Sequence, residues 1–540
     1  MSRTDRAVWG VVSSYAATLA TAIAGFVIVP IVLRYVSREE YGLWAAVGQA
    51  IGYLALLDLG VGSAVIRRTA QLGPGESSAA ATSRTVSTAV AVYAGLSVLL
   101  LAVGFLLTPV IPRLLSVPPG QKSIAITLFA TMVVYGAVSL PLRVSMKALY
   151  GLQQMARANV VMLVENVLSP AVAAVLLASG IGLIALPLGG ISAGFVAAAL
   201  AAVMLTRVAP GIRVRWQDVS AAEARELFTW SWLLGVNSLA VVIIYQTDTL
   251  VVAARGGLGP AATYALTSRL PLYAMPVIFA LADSCLPAAI ELCAQRQVDR
   301  VRDLHVRVLR LSLGAAICAA VVATTFNEPF VQLWVGAQNY GGTILTLAFG
   351  LMLVYRVLMQ TAGMVVIGTG RLRGVVAMSV VEAALNLTLS LWWIGRFGLA
   401  GVTMATVVAG LSTSAWYVTR LVCRELRQPV AGYLWSGLAI PALCGLPAAA
   451  LAVVMRRTYA LTSWAELAVA MLVTAIVYVA TFIAFAADSH VVSAFRRTVT
   501  GAVSAFRQSL TARRWPRRAL PSLAAPPRDG RSSSHSQAPL

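Results

Sequence analysis

Residues 86–112 read VSTAVAVYAGLSVLLLAVGFLLTPVIP, an unbroken run without a single charged side chain. A helix needs roughly 20 apolar residues to cross the hydrocarbon core of a bilayer. This run exceeds that length, and similar runs recur along the chain. The whole chain has 540 residues, of which 59% are hydrophobic and 11% charged, with a mean hydropathy of +0.82. Soluble domains carry about 25% charged residues. A water-soluble enzyme is therefore excluded, and the composition predicts an all-α polytopic membrane protein.

Segments of sufficient length number fourteen: 11–33, 43–66, 86–112, 124–146, 158–179, 181–206, 228–254, 262–290, 308–327, 342–366, 374–395, 398–419, 435–455 and 464–487. The basic residues support that count. With the N-terminus inside, alternating spans place 31 Lys and Arg on the cytoplasmic side and 8 on the external side. Such asymmetry marks cytoplasmic loops. The reading is a multi-pass inner-membrane protein with both termini cytoplasmic. The N-terminal apolar run is expected to stay as an uncleaved first span, because a whole bundle follows it. The net charge of +21 is spent on loop orientation and does not point to nucleic acid. Nearly all the basic residues are Arg, with Lys122 and Lys147 the only lysines, which reflects genomic base composition.

No CxxC pair occurs among the five cysteines, so neither a disulfide framework nor a zinc site is expected. His305, His490 and His535 fall outside the apolar runs, which argues against a histidine metal site or proton relay within the membrane. No metal or cofactor is expected. The absence of a Gly-rich phosphate loop argues against direct ATP hydrolysis.

The chain repeats itself. Val164-Glu165 with Leu168 matches Val381-Glu382 with Leu385, and Gly182-Leu183 matches Gly398-Leu399. Tyr41-Gly42-Leu43 followed by Asp58 matches Tyr264-Ala265-Leu266 followed by Asp283. Spans 1–6 thus correspond to spans 7–12, and the even number makes the repeats parallel. The expected organisation is two six-helix lobes in parallel pseudo-repeat plus two extra helices. Residues 1–206 form the N-lobe, 207–227 a cytoplasmic linker, 228–427 the C-lobe and 428–489 spans 13 and 14. Residues 490–512 carry a repeated Ser-Ala-Phe-Arg on one face, which reads as a basic amphipathic helix on the anionic inner leaflet. Residues 513–540 are rich in Pro, Arg and Ser and read as a disordered tail.

Residues 29–70, VPIVLRYVSREEYGLWAAVGQAIGYLALLDLGVGSAVIRRTA, carry a further signal. Tyr41-Gly42-Leu43-Trp44, Leu57-Asp58-Leu59-Gly60 and Arg67-Arg68 resemble the opening of bacterial polysaccharide-biosynthesis flippases of the multidrug/oligosaccharidyl-lipid/polysaccharide exporter superfamily. In the second half, YQTDTLVVAARGGLGPAATYAL resembles the start of that family's second lobe, on Asp248, Gly259 and Tyr264. The resemblance covers about residues 10–425. It implies an alternating-access transporter that moves an oligosaccharide on a polyprenyl diphosphate from the inner to the outer leaflet, in company with polysaccharide-synthesis machinery.

Charged groups inside spans are functional candidates, since each is expensive there. Arg356 lies deep in span 10, with Tyr355 and Gln360 beside it. It reads either as a cavity cation for diphosphate or sugar or as a structural Arg holding a kinked helix. Arg269 and Asp248, toward the external ends of spans 8 and 7, are expected to pair across a short hairpin, as a static bridge or as a gate. Asp58, Asp283, Glu165 and Glu382 occupy matching places in the two halves and are candidates for coupling or for structural bridges. For Asp58 and Glu165, the bridging partners at hand are Arg67, Arg143 and Lys147. Three alternatives stand beside the flippase reading: a multidrug extruder, a lipid II-type flippase and a membrane glycosyltransferase or polymerase. The first needs embedded acids with few cations, against Arg269 and Arg356. The last needs a large external loop with a catalytic carboxylate, and the external loops here are short.

Overall fold

The apolar runs fold as helices, because lipid leaves a backbone no partner but itself. The computed structural model describes residues 3–54, 60–72, 76–229 and 232–485, and no strand occurs among them. The first half of the chain forms α1 (Arg3–Tyr35), α2 (Arg38–Leu54), α3 (Val61–Leu72), α4 (Glu76–Leu107), α5 (Ile111–Leu114), α6 (Lys122–Leu142), α7 (Val144–Gly151), α8 (Met155–Ala178), α9 (Ala185–Val208) and α10 (Ala221–Thr229). The second half forms α11 (Trp232–Gly256), α12 (Leu258–Thr267), α13 (Arg269–Ala294), α14 (Val298–Val335), α15 (Thr343–Thr369), α16 (Leu372–Ser412) and α17 (Ser414–Glu425). After these come α18 (Val430–Leu434), α19 (Ile440–Thr458) and α20 (Trp464–Phe485). Asp58 and the tail from residue 490 lie outside the described residues.

Among the described residues, 12 helical segments are long and apolar enough to cross a membrane, against the fourteen expected. Two places account for the difference. The expected span 43–66 is represented by α2, only 17 residues long, and α3, with residues between them outside the description. The expected spans 374–395 and 398–419 merge into one segment, Leu372–Glu425, of 54 residues. A single helix of that length would reach roughly 80 Å, far beyond one bilayer. It is broken at Gly398, whose φ of 58° and ψ of −143° leave the helical region. Only glycine adopts such a conformation without strain.

Within the first half α8 packs on α1 and α9, and α6 packs on α4 and α9. Within the second half α15 packs on α13, α14 and α16, and α11 packs on α16. α19 and α20 pack on each other and on α14. The two halves meet where α2 lies against α11 and α12, and α1 against α13 and α14. Gly42 makes the α2–α12 contact possible: a side chain there would collide with the Leu258 carbonyl. That gives the Tyr41-Gly42-Leu43 motif a packing reason.

The hydrogen bonds that join the halves gather toward the end holding the α1–α2 turn, here called the closed end. Arg38 bonds Thr263, and Tyr53 bonds Thr247. Ser116 Oγ donates to the Ala254 carbonyl at 2.9 Å, and Trp334 Nε1 to the Phe26 carbonyl at 2.8 Å. Around that last bond Phe26 makes edge contacts with Tyr273, Phe330 and Trp334.

The connection between the halves is more ordered than a bare linker. Arg68 Nε donates to Glu223 Oε1 at 3.0 Å, and Thr85 Oγ1 donates to the same oxygen at 2.7 Å. The bond from Glu223 raises the Arg68 pKa above its ordinary value. Ser83, Ser87 and Thr88 accept from the backbone N–H groups of Arg213, Arg215 and Ser220. The segment leading to α10 is thereby tied to α3 and α4.

His305 corrects an expectation. It stands only three residues before the apolar run, but α14 begins earlier and carries it inside. The ring is fully buried, stacked on Tyr433 at 5.7 Å, with Nε2 3.2 Å from the Tyr433 hydroxyl.

Candidate functional site

α15 starts at the closed end and runs away from it. Arg356 lies thirteen residues beyond Thr343, roughly 20 Å along the helix. Arg356 and Gln360, four residues apart, share one face of α15, and Tyr355 adjoins it. They line a cavity of about 530 Å³ together with Tyr245 of α11 and Ser379 and Glu382 of α16. The volume is in the range of small-molecule sites.

The three side chains of α15 have different attachments. The Tyr355 hydroxyl donates to Glu382 Oε1 at 2.9 Å, and Glu382 is buried. Gln360 Nε2 donates to Asp283 Oδ1 at 2.8 Å, tying α15 to α13. The Arg356 guanidinium carbon sits 3.5 Å from the centroid of the Tyr245 ring. A cation over an aromatic face is held by the ring quadrupole. Among the described residues no carboxylate lies within ion-pair distance of Arg356.

The first half holds the counterpart. Pro141 ends α6 because it cannot continue the hydrogen-bond ladder, and Arg143 sits at the break before α7. Arg143 Nη2 and Glu165 Oε1 form an ion pair at 2.9 Å. Arg143 and Lys147 line a cavity of about 270 Å³ with Tyr93 and Tyr135. The matching carboxylates thus have different partners. Glu165 neutralises the arginine of its own half, whereas Tyr355 takes Glu382 and leaves Arg356 to an uncharged ring.

A family model described as polysaccharide biosynthesis protein matches residues 7–293, just over half of the chain. The chain belongs to this polysaccharide-biosynthesis family. No functionally curated protein matches it by sequence. Among solved structures, an inward-facing multidrug-resistance MATE transporter of the MOP superfamily aligns with a TM-score of 0.65 at 12% identity, over 77% of this chain and 95% of its own. The lipid II flippase MurJ in an inward closed conformation aligns with a TM-score of 0.61 at 14% identity, over 87% and 98%. An outward-facing MATE transporter gives 0.56 at 14% identity, over 78% and 97%. At these identities the likeness establishes the fold: this family member is a multi-pass membrane protein with a MOP-superfamily transporter architecture.

The expected Asp248–Arg269 pair does not form in this family member. Residues 262–290 read as one span, but α12 is a separate helix and Arg269 opens α13. Arg269 therefore turns to the other half, donating to Tyr41 Oη at 3.3 Å and to Tyr273 Oη at 3.1 Å. Asp248 faces α12 and α16 instead. Its Oδ2 accepts from the Tyr264 hydroxyl at 2.9 Å and from Thr406 Oγ1 at 3.1 Å. Asn386 Nδ2 donates to the same threonine oxygen at 2.7 Å.

Of the nominated residues, Arg356, Tyr355, Gln360 and Glu382 share one cavity, with Asp283 bonded at its edge. Glu165, Asp248 and Arg269 stand apart from it, and Asp58 lies outside the described residues. Tyr245 was missed: an aromatic in a membrane helix gives no signal until the fold brings its ring under the Arg356 guanidinium. Asn386 and Thr406 did leave a trace, as polar residues in otherwise apolar runs.

Proposed function

We propose that the chain is an alternating-access flippase carrying a polyprenyl-diphosphate-linked oligosaccharide from the inner to the outer leaflet for cell-surface polysaccharide synthesis. The observation that carries this reading is Arg356, a cation deep in an apolar helix, open to a cavity and set over the face of Tyr245, with no ion-pair partner among the described residues. A diphosphate cannot enter hydrocarbon unpaired, and a guanidinium offers it parallel charge-assisted hydrogen bonds. Arg143 and Lys147 add cations in the first half. Residues 1–206 and 228–427 act as the two lobes of a fourteen-span protein, rocking about the contacts of α1 and α2. The charge asymmetry of the loops supports an external closed end and cytoplasmic termini, and on that reading this is the state that receives cargo from the inner leaflet. A basic C-terminal segment against anionic lipid, and handover to polysaccharide-synthesis enzymes, fit the same reading.

The alternative of cationic-drug extrusion is disfavoured by the same arginine, which would repel such a cargo. The test is a deletion strain. Lipid-linked saccharide accumulates there on the inner leaflet, inaccessible to an impermeant oxidant in intact cells, and a plasmid copy clears it. An unchanged pool and an unchanged surface polysaccharide would overturn the proposal.

A further inference from the structure

The closed end holds another cavity, of about 560 Å³, built from different residues. Arg38 and Arg255 both line it, with Thr263, Tyr340, Leu391 and Ile394 around them. No acid is among its lining residues. Glu39 and Glu40 follow Arg38 in the chain but lie outside the lining: Glu39 faces Gly259, and Glu40 Oε2 accepts from the Ser37 N–H at 2.7 Å. Arg38 Nη2 donates to Thr263 Oγ1, while Arg38 Nε is buried and has no hydrogen-bond partner among the described residues. The two guanidinium groups that line the cavity would give an oxyanion there charge-assisted hydrogen bonds. The Gly398 break adds room: nothing lies within 4 Å of where a side chain would stand.

We propose that this vestibule binds a phosphate group, as the free ion or carried on a sugar, between Arg38 and Arg255. The two arginines come from different halves of the chain, Arg38 from α2 and Arg255 from the end of α11. The site is therefore complete only while the closed end is closed. A ligand that binds one state alone shifts the population toward it, so an anion here opposes opening. The inference concerns residues other than the central cavity and does not depend on the cargo.

The test is binding of glucose 1-phosphate, inorganic phosphate and glucose to the purified full-length protein in detergent, by calorimetry and by melting temperature. Saturable binding of at least one phosphate probe with a rise in melting temperature is expected, with none for glucose. Tighter binding of glucose 1-phosphate assigns the site to a phosphorylated saccharide, and equal binding assigns it to the free ion. Arg255→Ala should weaken binding about tenfold, the effect of losing one charge-assisted contact. Arg255 is exposed and forms no ion pair among the described residues, so this variant keeps its fold. Arg38→Gln should weaken binding similarly while keeping a donor for Thr263. Arg34→Ala, at the same end, should bind as the unmodified protein does. Absence of saturable binding by either phosphate would overturn the proposal. So would binding that survives both Arg38→Gln and Arg255→Ala.

Discussion

Arg356 was conspicuous in the sequence because a charge within twenty apolar residues has few bland explanations. Its setting was not legible. Whether such an arginine is structural or functional turns on its partner, and the partner is Tyr245, 111 positions away in the chain. Arg143 in the first half shows the other outcome, a direct ion pair with Glu165. Arg356→Ala should abolish transport while the protein inserts at normal abundance, because among the described residues its charge is not used for an ion pair. Arg356→Lys should restore part of the rate, since it keeps the charge and loses the planar fork. Transport assays scaled to membrane abundance check this; loss of protein in parallel with loss of rate would make the arginine structural.

At the scale of elements, the apolar runs declared nearly every helix, because period and length suffice for membrane spans. They failed at the junctions. α12 hides inside an apolar stretch and diverts Arg269 from Asp248 to Tyr41. The charged start of α14 conceals helix that continues into the membrane and buries His305. The connection at 207–227 read as a linker because its polar side chains gave no period, yet Glu223 fastens it through Arg68 and Thr85. Glu223→Ala removes both attachments and leaves Arg68 without this carboxylate. Losing such a bond costs about 1–3 kcal/mol, so limited proteolysis in membranes should cut between residues 207 and 229 faster than in the unmodified protein. Equal cutting rates would mean that the segment is held by other contacts.

At the scale of the molecule, the sequence offers matched motifs, and the packing explains one of them through Gly42. The state of the transporter was not legible, because closure depends on contacts between side chains far apart in the chain. Ser116 and Ala254 meet at the closed end. Cysteines at these two positions, with the five natural free cysteines replaced, should form a disulfide on oxidation. The cross-link should stop transport, and reduction should restore it. Full transport by the cross-linked protein would contradict the alternating closure of this end. The most direct measurement is a reconstituted one. Proteoliposomes carrying a polyprenyl-diphosphate oligosaccharide are treated with an external glycosidase, and the fraction of saccharide cleaved is followed with time. The account predicts that the protected half of the saccharide becomes cleavable in vesicles with the unmodified protein and stays protected with Arg356→Ala or in empty vesicles. Protection that persists with the unmodified protein, or that is lost equally with Arg356→Ala, would contradict it.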